Sequence, residues 1–385
     1  MRLSPDRARA PRLVFLLAAA ILAPVLPGTR NAAADPLTLP PPLLFDAGPL
    51  GSLQAQGIFS GLGTWQDNPT ALDASNRFDI TNAQLILQKS TGPVQFFLQA
   101  GAYNFPTLGV LASPTSDIGK NFYGPVPEAY VKFVPAGDFS IEVGKLPTLM
   151  GAETTWTWMN FNIERGLLWN LENAVTRGAQ LNYGAGSFHV SLAWTDGYYS
   201  NRYNTISGSL AYAPNTENTL SVFFYDNLGH TPYGSTANPE ALNNGRTYNL
   251  IYTYSSASWI VSPYLQYIVS PASTQLGYAH ANDSFGAAVL ADYSFTRTFS
   301  LGARFEYITS SGADNVSANN NLLGYGPGSR AWTFTLTPTW QAGGLFARAE
   351  ISYVRVTHYA SGMVFGLAGN NRDQIRALVE TGVMF

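Results

Sequence analysis

NRDQIRALVETGVMF, residues 371–385, ends the chain in a two-residue rhythm that decides the fold. Arg372, Gln374, Arg376, Glu380 and Gly382 share one parity, and Ile375, Ala377, Val379, Val383 and Phe385 share the other. A strand sends alternate side chains to opposite faces, so one face is charged and the other apolar up to the terminal aromatic. Two arginines and a glutamate cannot press against a dry soluble core without a large desolvation cost. A membrane barrel with a wet lumen satisfies both faces at once. Leu378 and Met384 interrupt the polar parity.

Working outward, the same period recurs. From Phe299 to Tyr307 the residues Phe299, Leu301, Ala303, Phe305 and Tyr307 are assigned to lipid, and Ser300, Gly302, Arg304 and Glu306 to the lumen. Trp332, Phe334, Leu336 and Trp340 point out, against an inward row of Thr333, Thr335, Thr337, Thr339 and Gln341. Leu345, Ala347, Ala349, Ile351 and Tyr353 point out, opposite Phe346, Arg348, Glu350 and Ser352, where Phe346 is the exception. Nearer the start, Ala129, Val131, Phe133, Ile141 and Val143 contrast with Glu128, Lys132 and Glu142.

Composition agrees. Only 12% of the 385 residues are charged, well under the roughly 25% of an average soluble protein. Aromatics reach 13%, which suits girdles where one end of a ring is wet and the other is not. A net charge of −3 argues against a nucleic-acid partner. With no cysteine there is no disulfide framework, thiolate metal site or lipid-anchor thiol.

The amino-terminus carries Arg2, Arg7, Arg9 and Arg12, then an apolar run from Leu13 to Leu26, then Ala32, Ala33 and Ala34 before Asp35. This is the order of a secretory signal, residues 1–34, cleaved near Ala34. Residues 35–50 hold Pro36, Pro40, Pro41, Pro42 and Pro49 and are expected to be an extended lead-in that does not pair in a sheet. Beyond it no run is long and apolar enough for a spanning helix, so a membrane protein of this composition must be a closed barrel.

From residue 51 to 385, strand-like runs alternate with a tight turn and then a long connection. The tight turns fall near residues 91–93, 136–138, 184–186, 214–217, 255–257, 296–298 and 342–344. Longer polar connections fall near 65–76, 105–125, 148–173, 197–202, 229–244, 270–282, 310–329 and 357–370. Short turns on one rim and long loops on the other are the asymmetry of an outer-membrane barrel. The expected fold is therefore all-β, a closed antiparallel transmembrane β-barrel of about 16 strands, within a range of roughly 14 to 18, with short periplasmic turns and long extracellular loops.

Several stretches together resemble the OmpL-like beta-barrel porins of Gram-negative bacteria. They are FDAGPLGSLQAQGIFSGLGTWQDNP at 45–69, VGKLPTLMGAETTWTWMNFNIERGLLWN at 143–170, WTDGYYSNRYN at 194–204, NLIYTYSS at 249–256, LLGYGPGSRAWTFTLTPTW at 322–340 and RDQIRALVETGVMF at 372–385. The resemblance spans nearly all of the mature chain in order. It implies an outer-membrane barrel acting as a channel, and it carries no substrate and no catalytic residues.

Lumenal charges are the first functional candidates. Arg304, Glu306, Arg348, Glu350, Arg376 and Glu380 lie at similar distances from their neighbouring turns or terminus, with Glu128, Lys132 and Glu142 elsewhere on the wall. Such a mixed-sign patch either sets a field across a pore or braces the wall by pairing. The second candidate is the connection from 148 to 173, where Trp156, Trp158, Met159, Phe161 and Trp169 lie among Glu153, Glu164 and Arg165. A loop so aromatic is ill-suited to bulk water and is expected to fold inward as a constriction, the alternative being an aromatic cap on the rim or an interfacial girdle segment.

Other signals are weak. His189, His230, His280 and His358 are far apart, and no spacing among them suggests a metal. Asp67, Asn68, Asn319 to Asn321, Asn370, Asn371 and Asp373 are the composition of polar loops as much as of a calcium site. The leading expectation is a passive channel for small hydrophilic solutes or ions, with no cofactor and no catalytic residue. Its partners are outer-membrane lipid, the barrel-assembly machinery through the strand ending in Phe385, and further copies in a homo-oligomer. Two alternatives stand beside it. One is a non-conducting structural or adhesive barrel. The other is an outer-membrane lipid hydrolase, which would need Ser and His on the lipid-facing wall, whereas His189 falls on the inward parity.

Overall fold

The computed structural model describes residues 37–385, so the expected leader at 1–34 lies outside the described residues. The strands are β1 (Leu43–Asp46), β2 (Ser52–Gln66), β3 (Asn76–Lys89), β4 (Val94–Tyr103), β5 (Glu128–Ala136), β6 (Phe139–Pro147), β7 (Val175–Ala185), β8 (Phe188–Thr195) and β9 (Thr205–Tyr212). They continue as β10 (Asn218–Asn227), β11 (Arg246–Ser255), β12 (Trp259–Ser270), β13 (Asn282–Ser294), β14 (Phe299–Ser310), β15 (Arg330–Ala342), β16 (Leu345–Thr357) and β17 (Asp373–Met384). Among the described residues no helix is long and apolar enough to cross a membrane.

From β2 to β17 each strand pairs antiparallel with the next, and β17 pairs with β2 from Arg376↔Gln66 to Met384↔Ile58, which closes a sixteen-strand barrel. Closure leaves no open edge in the hydrocarbon. Each expected tight turn joins two strands at one end, and each expected long connection joins them at the other. The ring of Phe385 lies over Gly57, where a Cβ would come within 2.2 Å of it, and the two residues exchange backbone hydrogen bonds of 2.8 and 3.0 Å.

The lead-in departs from expectation. β1 pairs with Ser52–Ala55 of β2, beyond the end of β17. The physical reason is local: Leu43–Asp46 lies between Pro42 and Pro49 and contains no proline, so its N–H groups can enter a ladder. It extends the seam of the barrel by one short, exposed strand. Upstream, Thr38 exchanges hydrogen bonds of 2.9 and 2.7 Å with the Gln341 side chain, and the Leu37 N–H reaches the Trp158 carbonyl at 3.3 Å. The segment thus sits in the mouth of the barrel on the short-turn side.

The faces follow the sequence rhythm. Phe305, Phe334, Trp332, Ile351 and Val379 are exposed on the outer wall, while Arg304, Glu306, Thr335, Arg348, Glu350 and Glu380 are buried inside. The three exceptions have a reason. Phe346 and Met384 point inward and join an apolar cluster with Leu37, Ile58, Trp156 and Trp158. Leu378 packs with Leu62 and Ile163. Each meets the loop that enters the lumen, so apolar side chains on the wet parity mark where that loop touches the wall.

Candidate functional site

The connection between β6 and β7, residues 148–174, lies inside the barrel. Glu153, Trp156, Trp158, Ile163, Glu164, Arg165, Leu167 and Leu168 are all buried. A second long connection, residues 104–127 with helix α1 (Thr115–Asn121), pairs with it. The Leu108 N–H donates to the Arg165 carbonyl and the Arg165 N–H to the Pro106 carbonyl, both at 2.9 Å. Phe105 packs tilted against Trp169, ring centroids 5.7 Å apart. The part played by this second loop was not read from the sequence; its apolar residues Phe105, Leu108, Ile118 and Phe122 are the signal that could have shown it.

Loops inside a lumen carry backbone groups that water no longer serves, and the wall supplies partners. Glu306 accepts from the N–H groups of Leu167 and Leu168 at 3.0 and 3.1 Å and from the Thr333 hydroxyl at 2.7 Å. Glu350 accepts from the N–H groups of Ile163 and Glu164 and from Thr337. Arg348 donates to the carbonyls of Asn160 and Thr157 at 3.0 and 3.1 Å and pairs with Glu380. Arg304 pairs with Glu153 at 2.6 Å and lies 3.4 Å from Glu306. Arg376 pairs with Glu164 at 2.8 Å and donates to the Thr107 carbonyl at 2.8 Å. Arg165 turns back on its own loop, donating to the Thr155 carbonyl at 3.0 Å.

Register explains the assembly. Arg348 stands directly opposite Glu380 across β16 and β17. Arg304 lies in one cross-strand row with Thr335, Ser352 and Arg376. Two glycines make room: a Cβ on Gly302 of β14 would lie 2.7 Å from the Phe161 carbonyl oxygen, and one on Gly166 would strike the Glu306 carboxylate at 2.2 Å.

The remaining charges lie on another part of the wall. Glu128 is buried and accepts from the Trp156 indole at 2.9 Å. Lys132 and Glu142 pair with each other at 3.0 Å and keep some contact with water. Nearby inward positions Asn182, His189 and Ser191 are half-buried. Sequence reasoning also missed Ser60 and Asn82, which donate to Glu380 at 2.9 and 3.3 Å. Beside Arg376 and Glu164 a cavity of about 20 Å³ remains, lined by Arg77, Asp79 and Asn104 among others, which is room for about one water.

A family model described as "Putative beta-barrel porin-2, OmpL-like" matches residues 52–385. The chain belongs to this family. Among solved structures, this porin-family barrel is similar to an anion-selective porin from Comamonas acidovorans, with TM-score 0.60 and 10% identity over 86% of this chain and 99% of that one. It is also similar to the outer-membrane protein OmpT of Vibrio cholerae, with TM-score 0.57 and 9% identity over 89% and 100% of the two chains. The outer-membrane channel DcaP of Acinetobacter baumannii gives TM-score 0.57 and 10% identity over 86% and 97%. At such identities the likeness is one of fold. No curated relative matches the sequence.

One acid in the infolded loop has no cationic partner among its hydrogen bonds. Glu172 accepts from Asn249 and Gln266, both at 2.8 Å, and from the Tyr264 hydroxyl. Burial raises its carboxyl from the ordinary 4.5 to about 8, against the pull of those three hydrogen bonds and with a smaller push from Glu153. A raised carboxyl favours the packed loop most while protonated. Its contribution is full below pH 4.5, declines as pH rises, and is lost by about pH 8. The expected result is that protection of residues 148–174 against hydrogen exchange, corrected for intrinsic rates, falls by up to about tenfold per pH unit within that window. Glu172→Gln is expected to flatten the dependence; an equally steep profile in that variant would assign it to another group.

Proposed function

We propose that this outer-membrane barrel is a passive diffusion channel for small hydrophilic solutes or ions, with an aperture set by the loop at 148–174. The observation that carries the reading is a wall of sixteen strands whose lumen is entered by a loop held through hydrogen bonds and ion pairs rather than by strand pairing. Barrels of that size are too wide for their own inward side chains to fill. Toward the short turns the lumen is lined by partly exposed Lys132, Asn182, His189 and Ser191 beside the buried Glu142, a vestibule in keeping with passage of polar solutes.

Burial of the belt charges gives a second reading its support: a barrel closed at rest, structural or adhesive in role, in which the arginines and glutamates brace the loop. Reconstitution into a planar bilayer separates the two. Stepwise conductance is expected, and a silent trace at all voltages would favour the closed barrel.

Selectivity under this proposal belongs to the vestibule, because Arg304, Arg348 and Arg376 are neutralised by buried partners. Lys132→Glu places two carboxylates together on the wet wall. Its reversal potential in a salt gradient is expected to move toward cation preference; no movement would place the selective charge elsewhere.

A further inference from the structure

We propose that the lipid-facing wall of β15, β16 and β17 carries, at its long-loop end, a binding site for the phosphates of an outer-leaflet glycolipid. Three arginines meet there on the outside of the barrel. Arg330 is exposed and shares the outward parity of Trp332 and Phe334. Arg355 stands directly opposite Trp332, which sets it diagonal to Arg330, a separation of about 7–8 Å in a sheet. Arg372, just before β17, is exposed at the rim and reaches Asp373 at 3.5 Å.

One carboxylate pairs with two of them. Asp373 lies 3.6 Å from Arg355 and 3.5 Å from Arg372, and it also accepts from the Tyr353 hydroxyl at 2.5 Å. Arg355 and Arg372 share Asp373, Arg330 lies diagonal to Arg355, and Asp67, which accepts from the Ile375 N–H at 2.7 Å, adds a second acid, so an excess of one positive charge remains, on planar donors that suit phosphate oxygens. Immediately below, Tyr307 and Trp332 pack at 4.4 Å and Phe305 lies 5.7 Å from Trp332. An aromatic step of this kind marks the border between headgroups and hydrocarbon.

The other end of the same strands is different. Its outward positions are Trp340, Leu345, Val383 and Phe385, all exposed and none of them cationic. The positive charge therefore addresses one leaflet. A soluble acidic partner would meet this face only at its upper edge, since the wall below is apolar, whereas a lipid offers acyl chains to the wall and phosphates to the arginines together. The chemistry that fits is an acylated glucosamine disaccharide bearing phosphates. Arginines at this depth cost little to place, and each gains from an anionic surface.

The proposal rests on the outer-membrane placement with long loops outward, and that premise is read separately. Ser361→Cys, in the adjoining loop, is expected to react with an impermeant maleimide on intact cells; protection there would overturn the placement and this site with it.

The site itself is tested on the full chain in detergent, by native mass spectrometry with bis-phosphorylated lipid A as probe. Wild type is expected to retain the lipid, and R330Q/R355Q/R372Q to bind it about a hundredfold more weakly. Folding of the variant is checked by its migration shift on heating, and its bilayer conductance is expected to match wild type. D373N acts in the opposite direction, removing the acid that Arg355 and Arg372 share, and is expected to tighten binding. Millimolar inorganic phosphate is expected to compete poorly, because the acyl chains contribute. Equal retention by wild type and the triple variant would overturn the proposal, as would full displacement by inorganic phosphate, the mark of a free-anion site.

Discussion

Replacing both Glu306 and Glu350 with alanine is expected to free the infolded loop and raise single-channel conductance several-fold. These two side chains accept the N–H groups of Ile163, Glu164, Leu167 and Leu168, two successive pairs in a stretch of loop that makes no ladder with the wall. Each such bond to a charged acceptor contributes about 1.5–3 kcal/mol, and a donor left unserved in a dry site adds its own penalty. The loop would retain Arg304 on Glu153 and Arg376 on Glu164, yet its centre would be untethered. Glutamine at the same positions keeps one of the two accepting oxygens, each of which serves its own N–H, and is expected to give a conductance between wild type and the double alanine variant. Unchanged current in the double alanine variant, with the loop still protected from hydrogen exchange, would remove the loop as the aperture.

A second large effect is expected from Arg348→Ala. Arg348 and Glu380 form a buried pair, and Arg348 also holds two loop carbonyls. Removing the arginine leaves Glu380 charged beside only Ser60, Asn82 and Thr157. Breaking a buried pair in this way costs about 3–5 kcal/mol, whereas replacing both members by apolar residues of similar size is often neutral. Arg348→Ala is thus expected to lower the urea midpoint markedly, and Arg348→Met with Glu380→Leu to recover most of it. If the single and double variants unfold together, the pair contributes nothing measurable.

Much of the architecture was legible because a barrel wall is a one-dimensional code. Alternation along each run states which solvent each side chain meets, and turn composition states where the chain reverses. The terminal strand, the turns and long connections, and the inward parity of Arg304, Arg348 and Arg376 follow from that code alone. The lead-in was misread because a count of prolines over 35–50 hid the four-residue proline-free stretch that forms β1. Aromatic content alone also foretold that residues 148–173 leave bulk water.

What the inward charges touch was not legible, since parity names a face and not a partner. Arg304 meets Glu153 across 151 positions of sequence, and Arg376 meets Glu164 across 212. Both contacts exist because closure of β17 on β2 carries the last strand to the side of the lumen where the loop descends. Leu378, Met384 and Phe346 read as faults in a pattern until that descent supplies their apolar neighbours. The sequence by itself determined the wall, its two solvents and its two rims, because each rests on contacts between near neighbours along the chain or with the surrounding medium. Only the tertiary structure decided that the charged belt grips a loop and that Arg355 and Arg372 meet Asp373. Those meetings depend on strand register and shear, which local residue preferences do not encode.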